Sequence, residues 1–355
     1  MSVNMEEGLQ TVRRAAGGEA FPLRPLAIGG VVLPSNVFCA PLAGYTDFAF
    51  RKLCYSFGAG LCYTEMVSAK GLLYNGEGTK ELLLRGEGEP PQTAVQLFGG
   101  DADILRAACG NEALAPFPIV DINMGCPVPK VYKNGEGSAL LGDLPRAERI
   151  ISACAKSGKI VTVKFRIGLE RGKYVAEEFA RMCEGAGAQA IAVHGRVREA
   201  YYAGEPDYAQ IAAAKNAVRI PVIANGGIFS VADAAAMLQK TGADGVMLAR
   251  AALYCPHLFA EFHGEGHGWD IPAAIARQTA DMLPAFGEKR TVVHMRKMAA
   301  FYLHGRRGAA AARRELFACD TLAQLNARLS RIFGADGQGG DAGDAGENGE
   351  GASDD

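Results

Sequence analysis

The chain has 355 residues, of which 49% are hydrophobic, with 45 glycines and 16 prolines. This composition is typical of a globular α/β protein and excludes a fibre. No apolar run approaches the ~20 residues that a membrane helix needs, and the N-terminus lacks the apolar segment of a secretion signal. The nine cysteines show neither a C-x-x-C pair nor metal-ligand spacing, so we expect free thiols in a reducing cytoplasm and no bound metal.

The formal net charge of −2 hides two segments of opposite charge. Residues 335–355 carry seven acidic residues and no basic one, and we predict a disordered acidic tail over 334–355. Without those seven acids the chain carries a charge of about +5. Residues 288–331 contain ten basic and three acidic residues. Such a patch suits a polyanionic partner, and a solvated helical face is the alternative explanation.

Short apolar runs alternate with helical stretches along most of the chain. Eight strands are predicted, at 36–40, 61–67, 93–98, 119–122, 160–165, 190–193, 222–224 and 245–248. This alternation predicts parallel βαβ units, and eight such units fit a closed (β/α)8 TIM barrel better than an open sheet. The α/β barrel is assigned to 29–260, after an N-terminal extension at 1–28. A C-terminal helical domain is assigned to 268–333, with helices at 271–283, 291–303 and 309–333.

The strand at 119–122 leads into a candidate catalytic loop. It ends at Asn123, and Gly125, Pro127 and Pro129 then turn the chain. Cys126 is therefore expected in a loop at the carboxyl end of a strand, where barrel enzymes keep their chemistry. A small buried structural cysteine is the alternative, but the surrounding residues favour a functional thiol.

The last two strands end in a pattern that suits a phosphate group. Gly226 and Gly227 follow the seventh strand, and Ala249 and Arg250 follow the eighth. They offer backbone N–H groups and a guanidinium, which is the usual phosphate site of this type of barrel. The alternative is that the glycines only turn the chain and that Arg250 is a surface residue.

Three further polar residues close apolar strands. Lys164 and Gln96 would be costly there unless they line a pocket or belong to a buried structural network. A flavin would use both, with the amide at the polar edge of the ring and the lysine near N1. His194 suits a proton donor, a ligand of a ring carbonyl or a satisfied core histidine. These residues together indicate FMN, with Cys126 above it as an acid or as a nucleophile toward an activated alkene.

Seven segments of the chain form a further pattern. They are VDINMGCPVPKVYKNGEGS (120–138), APLAGYTD (40–47), TEMVSAKGLLY (64–74), VQLFGGD (95–101), VKFRIG (163–168), VHGRVREAYYAGEPDY (193–208) and IANGGIFS (223–230). These segments resemble the signatures of the tRNA-dihydrouridine synthase family, most closely its bacterial B-type branch. The resemblance runs from about residue 30 to about residue 330, and its most specific part is N-x-G-C-P followed by lysine.

The resemblance implies reduction of the C5–C6 bond of particular uridines in the tRNA D-loop to dihydrouridine, with FMN as cofactor and NADPH as reductant. Hydride from flavin N5 would reach C6, and the Cys126 thiol would protonate C5. The basic helical domain would hold the tRNA. The residues implied at the cofactor are Pro41, Leu42, Ala43, Gln96, Lys164, His194, Asn225, Gly226, Gly227, Ala249 and Arg250. Those implied at the substrate are Asn123, Arg166, Arg196 and Arg198.

Two positions depart from the family pattern, and two other functions compete. Gly227 stands where many members carry Asp, and Ala249 where many carry Gly; both keep a backbone N–H. One alternative is an FMN-dependent reductase of a small pyrimidine or enone, which would not need a basic helical domain. The other is a catalytically silent tRNA-binding protein, against which Cys126, Lys164 and His194 argue. A monomer is expected, and the target uridine and the nicotinamide preference stay open.

Overall fold

The structure is a computed structural model that describes residues 21–74, 76 and 78–334. The first twenty residues of the predicted extension, and the predicted acidic tail from residue 335 onward, lie outside the described residues. The chain divides into two compact units, Met1–Trp269 and Asp270–Asp355. No helix in the described ranges is long and apolar enough to cross a membrane.

Unit 1 contains a closed barrel of eight parallel strands, which confirms the predicted (β/α)8 fold. In spatial order the barrel runs β3-β4-β5-β6-β7-β10-β11-β12, and β12 pairs with β3 to close it. The strands are β1 (Leu26–Ile28), β2 (Val31–Leu33), β3 (Val37–Cys39), β4 (Leu61–Ser68), β5 (Ala94–Phe98), β6 (Ile119–Met124), β7 (Ile160–Arg166), β8 (Gly168–Glu170), β9 (Lys173–Tyr174), β10 (Ala190–His194), β11 (Val222–Asn225) and β12 (Gly245–Leu248).

Helices follow the barrel strands, and several begin at a side chain that accepts a first-turn N–H. Asp101, Asp143, Asp207 and Ser230 are such N-caps. The helices of unit 1 are α1 (Phe48–Ser56), α2 (Ala69–Leu73), α3 (Ala102–Cys109), α4 (Pro129–Lys133), α5 (Leu144–Ala155), α6 (Ala176–Gly185), α7 (Tyr208–Ala217), α8 (Val231–Thr241), α9 (Arg250–Tyr254) and α10 (Leu258–Phe262).

Unit 2 is helical, as the C-terminal pattern predicted. It consists of α11 (Ile271–Tyr302), α12 (Ala309–Phe317) and α13 (Leu322–Gly334). Gly287 has non-helical angles (φ 71°, ψ 171°) inside α11, which confirms the predicted break. The single helix predicted over 309–333 is wrong. The Thr321 hydroxyl accepts the Gln324 N–H (3.3 Å), while the Gln324 side chain accepts the Asp320 N–H (2.8 Å), so a new helix begins there.

The lower part of the barrel interior is apolar. Side chains alternate in and out along each strand, and the inward ones at the strands' amino-terminal ends include Leu61, Ala94 and Ile119. The hairpin β1–β2 adds Ile28 and Leu33 to the same cluster. Sequence patterning did not predict this hairpin, and β1 falls inside the segment assigned to the extension. The polar groups of the interior therefore lie above this apolar layer, toward the strands' carboxyl ends.

One fully buried ion pair fastens the loop before β5 to α1. Arg51 of α1 donates to both carboxylate oxygens of Glu89, at 2.6 and 3.2 Å, and neither side chain is exposed. The same guanidinium donates to the carbonyls of Thr46 (2.8 Å) and Leu84 (2.7 Å). Removing one member would leave the other buried without its counter-charge, which is more costly than losing a surface pair.

We therefore expect Glu89→Gln to lower the free energy of unfolding of the barrel unit by about 3 kcal/mol or more. Denaturant titration of purified protein measures this loss. Glu87→Gln, in the same loop but exposed, is the matched control and should change little. Equal stabilities for the two variants would contradict the structural role of the pair.

Candidate active site

The carboxyl ends of the barrel strands bring the predicted polar residues into one region. His194 of β10 lies opposite Arg166 of β7 on one side and Asn225 of β11 on the other. Asn123 of β6 lies opposite Lys164 of β7. Because the strands are parallel and closed, these side chains share one end of the barrel.

The loop that carries Cys126 is held at both sides of the thiol. The Asn123 side-chain oxygen accepts the N–H of Gly125 (3.1 Å) and of Cys126 (2.9 Å). The Cys126 carbonyl accepts the N–H (3.1 Å) and the hydroxyl (2.7 Å) of Ser138. A Cβ on Gly137 would lie 3.0 Å from Cys126 Cβ, so glycine is needed for this close packing. The thiol is half-buried and its position is fixed by backbone contacts.

Burial raises the pKa of Cys126, and this outweighs a backbone N–H from Val128 and the nearby charges of Arg166 and Lys164, which lower it. A raised pKa keeps the sulfur protonated at neutral pH, since the thiolate forms only at higher pH. The group is therefore suited to giving a proton and poorly suited to nucleophilic attack.

Gln96 and Asn123 contact each other beneath this loop. Gln96 is 1% exposed, and its side-chain oxygen accepts from Asn123 Nδ2 at 2.9 Å. The two amides that were predicted to meet different ligands thus belong to one hydrogen-bonded set. Gln96 keeps one side-chain N–H for a ligand, whereas both N–H groups of Asn123 are used, the second by Met66 Sδ at 4.0 Å.

A pocket lies where β10, β11 and β12 end. Its lining includes His194, Tyr202, Gly226, Gly227 and Arg250. Both glycines have positive φ, 113° and 68°. A Cβ on Gly226 would lie 2.8 Å from His194 Cδ2, and one on Gly227 would lie 3.0 Å from the ring of Pro206. A residue with a Cβ at position 226 would therefore clash with His194. The glycine turn leaves space beside the imidazole ring.

Positive charge dominates this pocket. Burial, followed by repulsion from Arg166, Lys164, Arg196 and Arg250, holds the pKa of His194 well below its usual range. The imidazole is therefore neutral at physiological pH. Burial and then Arg166 lower the pKa of Lys164 to about 8, against the opposing effect of Asp121.

Two of these cations have unused donors. Neither Lys164 nor Arg250 makes a side-chain hydrogen bond or ion pair with any residue that the structure describes. Arg250 instead lies over the rings of Tyr202 (4.8 Å) and Phe229 (5.4 Å). A bare ammonium and a bare guanidinium beside a glycine turn fit an anionic, phosphate-bearing ligand. Within the described ranges no His, Cys, Asp and Glu side chains are grouped as a metal site.

Arg166 and Arg196, predicted to meet the substrate, are buried and bound to the backbone. Arg166 donates to the carbonyls of Gly125 (3.0 Å), Val197 (3.1 Å) and Tyr201 (2.8 Å). Arg196 donates twice to the Gly204 carbonyl, at 2.7 and 2.8 Å. These bonds hold the loop after β10 in place, and contact with substrate stays a prediction for both residues.

Arg198 and two aromatic residues lie at the edge of the opening formed by the strands' carboxyl ends. The Arg198 guanidinium lies 3.7 Å from the centre of the Tyr132 ring on α4, which connects the β10 loop to the cysteine loop. Tyr202 is half-exposed, and Tyr201 has the unusual positive φ of 46°. The sequence analysis missed these aromatics, although the run Tyr201-Tyr202 beside a charged loop is a signal for a binding surface.

The remaining predicted residues lie at the same end of the barrel. Pro41, Leu42 and Ala43 follow β3, where the Leu42 N–H donates to the Thr46 hydroxyl (3.1 Å). Ala249 lines the pocket as the residue before α9. The structure thus gathers these residues around one opening, while their contacts with a ligand stay predictions.

A comparison with protein-family models gives one match. The model described as dihydrouridine synthase (Dus) covers residues 38–335. The chain belongs to the dihydrouridine synthase family. This confirms the family resemblance and the assignment as an enzyme.

Curated relatives agree with the family model. tRNA-dihydrouridine synthase B of Pseudomonas putida is 40% identical over 291 residues, which cover 79% of this chain and 86% of that protein. A probable tRNA-dihydrouridine synthase of Mycobacterium tuberculosis is 37% identical over 337 residues, or 88% and 86% of the two chains.

Solved structures support the fold of this member of the dihydrouridine synthase family. Morphinone reductase in complex with tetrahydroNAD has a TM-score of 0.52 at 15% identity, over 70% of this chain and 92% of that one. The old yellow enzyme from Trypanosoma cruzi has a TM-score of 0.53 at 11% identity, over 72% and 95%. At these identities the likeness concerns the barrel alone.

Lys164 provides a test of the site that needs no activity. Its lowered pKa means that the unfolded chain binds more protons between pH 8 and about 10.4, so stability rises with pH over that window. We expect Lys164→Met to raise the unfolding free energy of cofactor-free protein at pH 7 by about 1 kcal/mol, with a smaller gain at pH 10. Thermal unfolding at both pH values measures this. Exposed Lys156→Met should give no gain, and a loss at pH 7 for Lys164→Met would contradict the buried charge.

Proposed function

We propose that this chain is a tRNA-dihydrouridine synthase in which Cys126 is the proton donor. The observation that carries the proposal is a half-buried thiol just after β6, with its pKa raised by burial, in a member of the dihydrouridine synthase family. A neutral thiol is what reduction of a conjugated C=C bond requires, since the carbon next to the carbonyl must receive a proton.

FMN, reduced by NADPH, is the proposed cofactor, and when bound it supplies the hydride for C6 of uracil. The bare donors of Arg250 and the turn at Gly226 and Gly227 suit its phosphate. Lys164 and His194 suit the polar edge of its ring. His194, being neutral, has one ring nitrogen to donate and one to accept.

Side chains of this protein position the uracil and supply the proton. Asn123 keeps the Cys126 loop in place and has an amide face for the uracil. Cys126 gives its proton to C5, and the resulting thiolate is stabilised by the nearby charges of Arg166 and Lys164. Because burial raises the pKa of the thiol above its usual value, solvent returns the proton to sulfur after product release.

Unit 2 is the proposed tRNA-binding part. Arg307, Arg314 and Arg328 are exposed there, whereas Arg313 donates to the Ala300 carbonyl (3.1 Å) and supports the helix packing. Exposed guanidinium groups on a helical unit suit the phosphates of a folded RNA. A small-molecule reductase would have no need for them. The nine free thiols and an RNA substrate agree with a reaction in the cytoplasm.

The proposed proton donor is tested with Cys126→Ala in a strain that lacks its own enzyme. We expect dihydrouridine in its tRNA to fall on the order of 100-fold or more, because the thiol is the proposed source of the C5 proton. Nucleoside mass spectrometry measures the modification. Cys255→Ala, the other half-buried cysteine, is the control and should restore it. Wild-type dihydrouridine levels with Cys126→Ala would refute the role.

The proposed tRNA-binding surface is tested with the double variant Arg307→Glu, Arg314→Glu. We expect about tenfold weaker tRNA binding and a shallower salt dependence, because fewer counterions are released. Filter binding across salt concentrations measures both. The control reverses Arg106 and Lys156, which are exposed at the C-terminal ends of α3 and α5, away from the barrel opening. If both double variants bind alike, unit 2 is not the docking surface.

A further inference from the structure

A buried carboxylate lies one layer below the site and has no part in the chemistry above. Asp121 precedes Asn123 by two positions on β6, so both point into the barrel. Asp121 is 1% exposed. One of its oxygens accepts from Gln96 Nε2 at 2.7 Å, and the other accepts from the Thr162 hydroxyl at 2.6 Å.

These bonds continue upward to the cysteine loop without a gap. Asp121 accepts from Gln96, and Gln96 accepts from Asn123 Nδ2 at 2.9 Å. Asn123 Oδ1 then accepts the N–H of Cys126 at 2.9 Å and that of Gly125 at 3.1 Å. The relay is therefore Asp121–Gln96–Asn123–loop, with every hydrogen pointing down the barrel.

The direction of this relay is set at both ends. An ionised carboxylate can only accept hydrogen bonds, so Gln96 must turn its NH2 group toward Asp121 and its oxygen toward Asn123. A backbone N–H can only donate, so Asn123 must turn its oxygen toward the loop and its NH2 toward Gln96. The two requirements agree, and neither amide can be reversed without breaking bonds in a buried place.

We propose that Asp121 is a positioning residue, which fixes the orientation of the Gln96 and Asn123 amides and thereby places the Cys126 loop. The significance for catalysis depends on the proposed function, in which Cys126 is the acid. The positioning itself is a property of the cofactor-free protein and can be tested there.

Burial raises the pKa of Asp121 to about 6, against the lowering effects of its bonds to Gln96 and Thr162 and of the Lys164 charge. The carboxylate is thus charged at pH 8. A structural role as counter-charge of Lys164 would need only that charge. The relay needs a hydrogen-bond acceptor at position 121 that faces Gln96. A substitution that removes the charge but keeps the acceptor therefore distinguishes the two roles.

The first experiment reverses the relay. Asn123→Asp places acceptors on both sides of Gln96, whose amide can satisfy only one of them, so we expect a clear fall in melting temperature at pH 8. Adding Asp121→Asn supplies an NH2 group below Gln96, which then turns over and donates to the carboxylate at position 123, while Thr162 still donates to position 121. The double variant should therefore recover most of the loss.

Asp121→Asn alone should stay near the wild-type melting temperature. Its oxygen still accepts from Gln96, and its NH2 group donates to the Thr162 hydroxyl, which can accept as well as donate. If Asn123→Asp melts like the wild type, or if the double variant is no better than Asn123→Asp, the proposal is overturned. An Asn123→Asp protein that does not fold, together with a folded double variant, supports it.

The second experiment measures the loop directly. Iodoacetamide alkylation of Cys126 in cofactor-free protein is followed by peptide mass spectrometry, with Cys255 in the same sample as the reference for overall loosening. Asp121→Val removes the acceptor, and we expect the Cys126 to Cys255 rate ratio to rise on the order of tenfold. Asp121→Asn, which removes only the charge, should leave the ratio unchanged.

A ratio that Asp121→Val leaves unchanged, or that Asp121→Asn raises equally, would overturn the positioning role. Both experiments are independent of the reaction. A wild-type protein that fails to form dihydrouridine would refute the proposed function, yet the relay would still be decided by melting temperature and alkylation.

Discussion

In a closed barrel, a buried polar side chain that points inward must form its hydrogen bonds with neighbouring side chains. Neither an open strand edge nor bulk solvent is within its reach. In this barrel the inward side chains are arranged in layers of different polarity. The amino-terminal end is filled by apolar side chains, and the hairpin β1–β2 completes this floor. Above it lies one layer of bonded polar groups, Asp121, Gln96 and Thr162. Only above that layer do donors such as those of Lys164 stay free. The site depends on this order. If the groups of the middle layer were not bonded to one another, they would form hydrogen bonds with the free donors above them.

The positive charges at this end of the barrel carry an electrostatic cost. Lys164, Arg166, Arg196 and Arg250 lie around His194 and lower its pKa, and repulsion among them is relieved only in part by backbone carbonyls. Such local conflict is expected where a protein binds a charged ligand, because the ligand completes the charge balance. Asp121 adds one negative charge from below, which keeps Lys164 charged at neutral pH despite its burial.

The sequence was sufficient for much of this structure, because the relevant signals are local. Short apolar runs that alternate with helical stretches predicted all eight barrel strands, and the rule that chemistry lies at strand ends placed Asn123, Lys164 and His194 together in advance. The hairpin β1–β2 escaped prediction because its two short strands lie outside the alternation of strands and helices. The break before Thr321 depends on side-chain capping, which an unbroken helical pattern conceals.

The partners of the polar residues could not be predicted in the same way. Arg166 was predicted to bind the substrate, and two of its three side-chain hydrogen bonds hold the loop after β10, which no local pattern indicates. Asp121 was visible as one acid in an apolar strand. Its significance depends on register, which places it opposite Gln96 of β5 and Thr162 of β7. Register between strands separated by whole helices is a property of the assembled barrel.

Barrel closure also has a consequence for synthesis of the chain. Val37 of β3 pairs with Val246 of β12, roughly 210 residues later, and the Ala40 N–H is accepted by the Leu248 carbonyl at 2.7 Å. At ~5–20 residues per second, a ribosome needs on the order of 10–40 s to produce the second partner after the first. During that interval the β3 edge has unsatisfied backbone groups beside the apolar residues Phe38 and Ala40. The nascent chain therefore exposes an unpaired strand edge, which favours aggregation until β12 emerges.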